Sequence, residues 1–287
     1  AVQATMAASR AWRTLHAFAA LFACTAGTVS AAPEHFTLKN KRAIVTGGSR
    51  GLGRAVVEEL LSQGAYVTTC ARDLEPLKDL LAKEPRCGAV VADVSTEEGR
   101  AALMAEMRRL YGEEFALDIL VNNVGTNLRK HSAEYTTTEY SWLQKTNQES
   151  AFMMSTACFE ALVRASGCVI NVSSVSGSTV DNTGAPYHMA KAALEHMTRY
   201  LACEWGPRGV RVNAVAPWFV ATPLTTPLLS KRRFAAAVRR ATPLRRWGEP
   251  HEVACVVAFL AMPASSYVTG AVVGIDGGML SEGFRYP

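Results

Sequence analysis

Two residues of this chain have the types and spacing for proton transfer, because Tyr187 and Lys191 stand four positions apart. On a helix, that spacing places both side chains on one face, one turn from each other. An unperturbed tyrosine has a pKa of about 10, and a nearby lysine cation favours the phenolate and lowers that pKa. The pair therefore predicts a phenol that acts as an acid near neutral pH.

A third candidate, Ser174, lies thirteen residues before Tyr187, at the end of the apolar run 167–172. That run is typical of a buried strand, so the serine hydroxyl and the phenol could meet over one substrate oxygen. The Tyr-x-x-x-Lys spacing also occurs by chance on surface helices, where it forms only an ion–dipole pair. The interpretation as a catalytic site therefore depends on the other motifs of the chain.

A glycine-rich turn, with Gly47, Gly51 and Gly53, follows the first predicted strand and opens a helix. Glycine lets the backbone approach a pyrophosphate, and the first turn of a helix offers N–H groups that have no partner within the helix. An ordinary tight turn is the alternative. The sequence of strand, turn and helix favours a nucleotide site.

Repeated units of strand and helix must position these residues, and they begin at Leu38. Strands are predicted at 41–46, 65–70, 88–92, 117–121, 167–172, 210–215 and 271–275, and helices at 73–83, 140–165 and 187–205 among others. Near-continuous apolar strands joined by helices indicate a parallel sheet whose ligands bind at the carboxyl ends of the strands. The predicted fold class is α/β, a single-domain doubly wound parallel sheet of the Rossmann type with helices on both faces.

The composition suits one globular catalytic domain in a reducing compartment. The chain has 287 residues, of which 49% are hydrophobic and 19% charged, and this length allows a well-buried core. Its seven cysteines are scattered and contain no C-x-x-C pair, so they form neither a disulfide framework nor a zinc site. His188 and His196 have no carboxylate or cysteine at ligand spacing, and no metal site is predicted.

The charge of the chain gives no sign of a nucleic-acid partner, since its formal net charge is a mild +5. Lysine and arginine are concentrated at 231–233, 239–240 and 245–246. These residues are expected to form either a solvated helix face or a site for an anionic ligand or acidic partner.

Residues 1–34 differ from the rest of the chain and are predicted to be an N-terminal targeting or anchoring extension, ahead of the catalytic domain at 35–287. The first 33 residues contain two arginines, no acid and abundant Ala, Ser and Thr. Three interpretations stay open: an organelle presequence remnant, an interfacial or membrane helix over the uncharged run 14–32, and a secretory signal. The expected location is an organelle, with the mitochondrion favoured over the plastid and the secretory route or cytoplasm remaining open.

Three motifs in one order resemble the short-chain dehydrogenase/reductase family, over about 36–284. They are the glycine turn, the turn Asn122-Asn123-Val124-Gly125 and the Ser-13-Tyr spacing. The segments 46–51, 70–72, 173–177 and 265–270 are similar to tropinone reductase-like members. The resemblance implies an oxidoreductase that moves hydride between a nicotinamide nucleotide and a carbonyl carbon.

The resemblance also implies a catalytic tetrad of Asn147, Ser174, Tyr187 and Lys191. Tyr187 would protonate the developing alkoxide and Ser174 would hold the same oxygen by a hydrogen bond. Lys191 would bind the nicotinamide ribose and lower the pKa of Tyr187. Asn147 would kink its helix and position a water that relays protons to Lys191.

The resemblance implies a set of cofactor contacts and a preference for NADP(H). These contacts are Gly47, Ser49, Arg50, Gly51, Leu52, Gly53, Arg72, Asp93, Val94, Asn123, Gly125, Tyr187, Lys191, Pro217, Val220 and Thr222. Arg50 and Arg72 are suited to the 2′-phosphate of NADP, as guanidinium groups bind phosphate well. Asp73 could instead approach the ribose hydroxyl of NAD, although it is better placed to cap the next helix.

The position after Pro217 departs from the family pattern, because Trp218 stands where the family has glycine. Trp218 and Phe219 are expected to line the substrate pocket. Trp218 is interpreted as an apolar wall for the substrate, and the alternative is a plug that has ended catalysis.

The function predicted from these residues is NADPH-dependent reduction of a ketone with apolar bulk, a small-molecule carbonyl substrate. A 3-oxoacyl-thioester reductase, in which Arg232 and Arg233 meet an acidic carrier protein, is one alternative. The other is an accessory subunit that keeps the fold and nucleotide while residues 1–34 attach it to a membrane or large complex. A homodimer or tetramer, formed through the helices at 147–165 and 187–204, is expected.

Overall fold

The predicted strands form one seven-stranded sheet in the computed structural model, which describes residues 34–282. The strands are β1 (Arg42–Thr46), β2 (Tyr66–Ala71), β3 (Cys87–Val91), β4 (Ile119–Asn122), β5 (Cys168–Val172), β6 (Arg211–Pro217) and β7 (Val272–Ile275). All neighbours are parallel, in the order β3-β2-β1-β4-β5-β6-β7. The α/β class and the parallel sheet predicted from the sequence are confirmed.

Helices connect the strands, and two of the predicted helices differ from those in the structure. The α-helices are α1 (Gly51–Ser62), α2 (Lys78–Lys83), α3 (Glu97–Tyr111), α4 (Thr137–Gln144), α5 (Ser150–Ala165), α6 (Ala185–Trp205), α7 (Thr226–Leu229), α8 (Arg232–Ala241) and α9 (Pro250–Ala261). The helix predicted over 140–165 is interrupted by a π-helical turn at Lys145–Glu149. The helix predicted from Asp73 begins later, because the Asp73 carboxylate accepts the Glu75 N–H at 2.9 Å and starts a turn instead.

Alternation along each strand divides the core into two clusters, one on each face of the sheet. In β1, Ala43 and Val45 belong to the first cluster and Ile44 to the second. Apolar residues of α1 and α9 complete the first cluster, while α3, α5 and α6 complete the second. Successive residues of a strand face opposite sides, so two apolar faces require two helical layers. The predicted helices on both faces are confirmed.

The strand order reverses at β1, since the chain proceeds from β1 to β2 and β3 on one side and from β4 to β7 on the other. In open parallel sheets, ligands bind beyond the carboxyl ends of the strands at such a switch point. This edge carries Gly47 after β1, Asn123 after β4 and Ser173 after β5.

The predicted extension falls mostly on residues 1–33, which lie outside the described residues, as do residues 283–287. The boundary between 34 and 35 stays a prediction. Within residues 34–282, no helix is both long enough and apolar enough to cross a membrane.

Candidate active site

A cavity of about 610 Å³ lies beyond the carboxyl ends of β1, β2, β4 and β5. It extends from the glycine turn and the end of β2 to Tyr187 and Lys191 on α6. One elongated cavity therefore joins the two parts of the sequence that carry the chemical motifs.

In the glycine turn, at the floor of this cavity, the backbone at Gly53 lies unusually close to the backbone at Gly47. Gly47 and Gly51 have φ angles of +72° and +60°, in the left-handed region that favours glycine. A Cβ at Gly53 would lie 2.2 Å from the Gly47 carbonyl oxygen and 2.4 Å from the Asn123 amide nitrogen. No side chain fits at Gly53, so backbone atoms form the floor of the cavity here.

Asn123 fixes the turn from the neighbouring strand. Its side-chain amide donates to the carbonyl oxygens of Thr46 and Gly47, at 2.9 and 3.2 Å. The N-terminus of α1 has no side-chain cap, so its first N–H groups remain available to a ligand. Glycine backbone, helix N-terminus and elongated cavity together fit a dinucleotide pyrophosphate.

The end of the cavity next to β2 is lined by two arginines, Arg50 and Arg72, and by two carboxylates, Asp73 and Asp93. Arg50 and Asp73 form an ion pair at 3.5 Å, with both side chains more than half exposed. Arg72 is exposed and has no acidic partner among the described residues. The Asp73 carboxylate already accepts the Glu75 N–H, as expected of a residue that starts the next turn. Arg72 is therefore the guanidinium at this end that stays unpaired among the described residues.

Tyr187 lines the opposite end of the cavity, near the start of α6. Burial raises the pKa of Tyr187 above its ordinary value, because the charged phenolate is poorly solvated. Hydrogen bonding to Ser174 and the nearby Arg129 cation lower this pKa, while Asp181 raises it. Ser174 itself accepts the Ser176 N–H at 3.2 Å, which anchors its hydroxyl oxygen.

Lys191 is nearly inaccessible, with 3% of its surface exposed. Its Nζ donates to the Val172 carbonyl at 2.8 Å and lies 5.6 Å from the centroid of the Tyr187 ring. Burial lowers the pKa of Lys191 to about 8, against the opposing effect of Glu195. The groups that lower the pKa of Tyr187 are Ser174 and Arg129, and not Lys191 as predicted.

Asn147 lies in the π-helical turn and is fully buried. Its amide donates to the Leu143 carbonyl and accepts the Thr126 N–H, both at 2.9 Å. A Cβ at Gly125 would lie 3.0 Å from the Asn147 oxygen and 3.3 Å from the Lys191 Nζ. The π turn thus places a fixed amide oxygen beside the lysine, where the sequence predicts a kink.

A smaller pocket of about 80 Å³ adjoins the cavity at Tyr187. It is lined by Asn127, Arg129, Ser174, Ser176, Asp181, Thr183, Tyr187, Trp218, Phe219, Leu224 and Thr225. Three of these residues (Trp218, Phe219 and Leu224) supply an apolar wall. Facing them are polar residues from the loops that follow β4 and β5.

Trp218 adopts an ordinary backbone conformation, and its N–H donates to the Ile275 carbonyl at 3.1 Å. The indole N–H donates to the Thr242 hydroxyl at 3.2 Å. The ring packs edge-on against Phe219, which contacts Phe234 of α8 in the same way, with centroids 4.6 and 5.2 Å apart. These aromatic contacts hold Trp218 at the side of the smaller pocket, away from the lining of the larger cavity.

Comparison with known proteins identifies the family. The family model described as "Enoyl-(Acyl carrier protein) reductase" matches residues 47–280. A tropinone reductase homolog of Arabidopsis thaliana is 45% identical over 259 residues, which cover 88% of this chain and 97% of the relative. The chain belongs to the short-chain dehydrogenase/reductase family. A second tropinone reductase homolog of that plant, named as chloroplastic, is 44% identical over 88% of this chain and 79% of its own length.

Solved structures of this short-chain family share the fold. A putative gluconate dehydrogenase from Agrobacterium tumefaciens has a TM-score of 0.83 and 33% identity, covering 87% of this chain and 100% of its own. A gluconate 5-dehydrogenase from Burkholderia cenocepacia, solved with NADP and tartrate, has a TM-score of 0.81 and 29% identity, covering 87% and 98%. The chain is accordingly an oxidoreductase of the short-chain family with a nicotinamide nucleotide as its cofactor.

Most cofactor contacts that the family resemblance implies do line the larger cavity. Pro217 and Val220 do not. Pro217 ends β6, and Val220 is 3% exposed because its side chain packs into the core with Val215. The substrate candidates Trp218 and Phe219 both line the smaller pocket.

Sequence reasoning missed several lining residues. In the larger cavity these include Trp142 and Thr146 of the α4 region. In the smaller pocket they include Asn127 and Arg129. Their position in the loop that follows β4 was a usable signal for Asn127 and Arg129, whereas nothing in the pattern of α4 marks Trp142.

Proposed function

We propose that this protein is an NADPH-dependent carbonyl reductase that acts on a ketone with apolar bulk. The observation that carries the proposal is the position of Tyr187, which lines both the larger cavity and the smaller pocket. A nucleotide in the larger cavity and a ketone in the smaller pocket would meet at this phenol. Ser174, which lines the smaller pocket, supplies a second hydroxyl to the same place.

The side chains divide the work of reduction. A bound nicotinamide supplies the hydride that adds to the carbonyl carbon. The Tyr187 hydroxyl donates its proton to the oxygen that becomes negative, and the Ser174 hydroxyl stabilises that oxygen by a hydrogen bond. The Lys191 ammonium binds the nucleotide ribose. The Asn147 amide positions a water that relays protons to that ammonium.

Arginine side chains support the choice of NADPH over NADH. Arg50 and Arg72 line the larger cavity, and Arg72 has no acidic partner among the described residues. Charged hydrogen bonds to a phosphate are worth about 1.5–3 kcal/mol each. The Arg72→Gln change should lower kcat/KM for NADPH roughly tenfold to a hundredfold and leave NADH unaffected. Lys83→Gln, an exposed change on α2, is the control, and equal losses with both nucleotides would contradict the preference.

The apolar wall of the smaller pocket supports a ketone with apolar bulk. Trp218, Phe219 and Leu224 form one side of this pocket. Burying apolar substrate surface against them contributes about 25 cal/mol for each Å² removed from water. Polar groups of the substrate would face the opposite side.

The proposal is tested by NADPH consumption with a panel of ketones and 3-oxoacyl thioesters, with Tyr187→Phe as the blank. We expect turnover that Tyr187→Phe reduces at least about a hundredfold, since general acid catalysis contributes about 10²–10⁴-fold. Nucleotide binding without turnover of any substrate would contradict the reductase. That result would favour an accessory subunit that has kept the fold and the nucleotide.

A second candidate, a 3-oxoacyl-thioester reductase, is favoured by the position of α8. Lys231, Arg232, Arg233 and Arg240 are exposed around this helix and have no acidic partner among the described residues. The helix also contacts the pocket wall through Phe234 and Phe219. An acidic carrier docked on α8 would lie beside the substrate pocket. Activity on carrier-bound thioesters that falls with salt and with Arg232→Glu/Arg233→Glu would support this candidate, and indifference to both would exclude it.

A further inference from the structure

A buried carboxylate supports the site without lining either pocket. Glu195 lies on α6, one turn beyond Lys191, and is 2% exposed. Burying a carboxylate is costly unless it is hydrogen-bonded or paired with a cation. Its nearest cation, Arg199, lies 3.9 Å away and is half exposed. The stabilising partners of Glu195 therefore lie mainly elsewhere.

Those partners are two serines on either side of Ser174. The Ser173 hydroxyl donates to Glu195 Oε1 at 3.2 Å, and the Ser178 hydroxyl donates to Oε2 at 3.1 Å. The Ser173 hydroxyl also lies 3.3 Å from the Lys191 carbonyl. One carboxylate thus joins both ends of the segment 173–178, which carries Ser174, to the helix that carries Tyr187.

Gly177 gives independent evidence that this contact is tight. A Cβ at Gly177 would lie 2.2 Å from Glu195 Oε1 and 2.6 Å from its carboxyl carbon. It would also lie 3.1 Å from the Lys191 carbonyl oxygen. Only glycine allows the segment to approach the carboxylate this closely.

Glu195 also acts electrostatically on Lys191. Burial lowers the pKa of Lys191 to about 8, and the charge of Glu195 opposes this shift. Glu195 and Tyr187 are the titratable groups on α6 that face Lys191. The other elements packed against it contribute the Val172 carbonyl of β5 and the neutral Asn147 amide of the π turn.

We propose that Glu195 is a positioning residue, which fixes Ser174 opposite Tyr187 and keeps Lys191 protonated during reduction. This role rests on the proposed reductase function. It assigns two effects to one carboxylate: the hydrogen bonds to Ser173 and Ser178 set geometry, and the negative charge sets the protonation state of Lys191.

Two kinds of variant separate these effects. Glu195→Gln keeps the size of the side chain and one oxygen acceptor but removes the charge. We expect kcat to fall roughly tenfold to a hundredfold, with a smaller change in KM. The pH above which activity declines should move to lower values, because Lys191 then loses its proton more easily. Glu204→Gln, an exposed change on the same helix, is the matched control and should alter neither kcat nor the pH profile.

Ser178→Ala removes one of the hydrogen bonds and leaves the charge. It should lower kcat without moving the pH profile, while the folded fraction, measured by circular dichroism, stays that of the unmodified chain. If Glu195→Gln fails to fold, Ser178→Ala and Gly177→Ala test the geometric effect alone. Normal kcat in both would overturn the proposal, as would an unchanged kcat and pH profile in folded Glu195→Gln.

Lysine titration by NMR tests the electrostatic effect without turnover. The pKa of Lys191 should be lower in Glu195→Gln than in the unmodified chain. An unchanged Lys191 pKa would overturn this part of the proposal even if the reductase is confirmed. Absence of Tyr187-dependent turnover in the unmodified chain, with the expected Lys191 shift, would instead contradict the reductase and leave the effect of Glu195 on Lys191 intact.

Discussion

At the scale of single residues, Tyr187 and Trp218 govern the smaller pocket in different ways. Tyr187 brings a proton whose release depends on burial, on Ser174 and on Arg129. Trp218 brings bulk, and its indole is fixed by Thr242 and by the ring of Phe219. One residue therefore sets the chemistry of the pocket, and the other sets its shape.

Truncation of the Trp218 indole tests whether this side chain lines the substrate pocket or blocks it. In Trp218→Ala we expect KM for apolar ketones to rise about tenfold or more, because apolar contact area is lost. Tyr187-dependent turnover of a small ketone should remain. The measurement is steady-state kinetics with ketones of increasing size. Higher turnover of every ketone in Trp218→Ala would show instead that the indole obstructs the site.

The charge of Arg129 should be visible in the titration of Tyr187. Burial raises the pKa of this phenol and Arg129 lowers it, so Arg129→Gln should raise it further. The phenol of the variant should therefore lose its proton at higher pH than the phenol of the unmodified chain.

Ultraviolet absorbance of the phenolate, measured against the Tyr187→Phe form of each protein, reports this pKa directly. Lys83→Gln, an exposed change far along the chain, serves as the control for loss of one positive charge. Equal phenol titrations in the Arg129 and Lys83 variants would contradict a specific effect of Arg129.

At the scale of elements, the site is assembled from strand ends and from one irregular turn. Gly47, Asn123 and Ser174 follow β1, β4 and β5, so the parallel sheet alone brings them to one edge. Asn147 reaches the same place differently, by way of the π turn between α4 and α5. Such turns insert an extra residue into a helix and are frequent at functional sites.

The stability of the π turn depends on the hydrogen bonds of the Asn147 amide. Asn147→Asp keeps an oxygen that can accept the Thr126 N–H but loses the donor to the Leu143 carbonyl, whereas Asn147→Ala loses both bonds. We expect Asn147→Ala to lower the free energy of unfolding by about 1–3 kcal/mol, and Asn147→Asp to be less destabilising. Denaturant titration measures both. Equal stability of the two variants would show that the hydrogen bond to Thr126 contributes little.

Much of the arrangement of elements could be predicted from the sequence. Apolar runs located the seven strands because both faces of a covered parallel sheet are apolar. The spacing of Ser174, Tyr187 and Lys191 located the candidate catalytic end of the cavity. Such spacing is informative because the geometry within one strand or one helix depends on nearby residues. The π turn was not predictable as such, since Asn147 indicated a kink and not its hydrogen-bonding pattern.

Other features of the site depend on tertiary structure and could not be predicted. Burial reverses the expected direction of the Tyr187 pKa shift, and burial is set by residues far along the chain. The polar side of the smaller pocket comes from loops without periodicity, at Asn127, Arg129 and Asp181. Val220 turns into the core because of packing against other elements.

At the scale of the whole molecule, several large apolar side chains on α5 and α6 remain in contact with water. Phe152 and Met153 of α5 are more than a third exposed, and Met189 and Tyr200 of α6 are half exposed or more. The two positions on α6 are about three turns apart and lie on the same side of the helix. Exposed apolar patches of this kind mark interaction surfaces.

We therefore expect the chain to self-associate through α5 and α6 as a dimer or tetramer. Tyr200→Glu should weaken the association by placing a charge in an apolar interface. Analytical ultracentrifugation over a range of concentrations measures the effect. Lys39→Glu, an exposed change outside these helices, is the control. A monomeric unmodified chain, or an equal effect of both variants, would contradict this interface.

The composition of the N-terminal segment bears on where in the cell the protein is located. We propose that residues 1–34 direct the protein to an organelle, the mitochondrion being favoured, because the segment has arginines and no acid before residue 34. A fluorescent protein fused behind these residues should enter that organelle, and one fused behind a segment with Arg10→Glu and Arg13→Glu should not. Delivery to plastids or to the secretory pathway would contradict the mitochondrial choice.

The order of the strands also matters while the protein is being made. β1 ends at Thr46, but its neighbour β4 begins only at Ile119. A ribosome that adds about 5–20 residues per second needs several seconds to cover that interval. Meanwhile β1 has β2 on one side and an unpaired edge on the other, which can bind strands of other nascent chains. We therefore expect the yield of soluble protein in a host cell to depend on the speed of translation between these two strands.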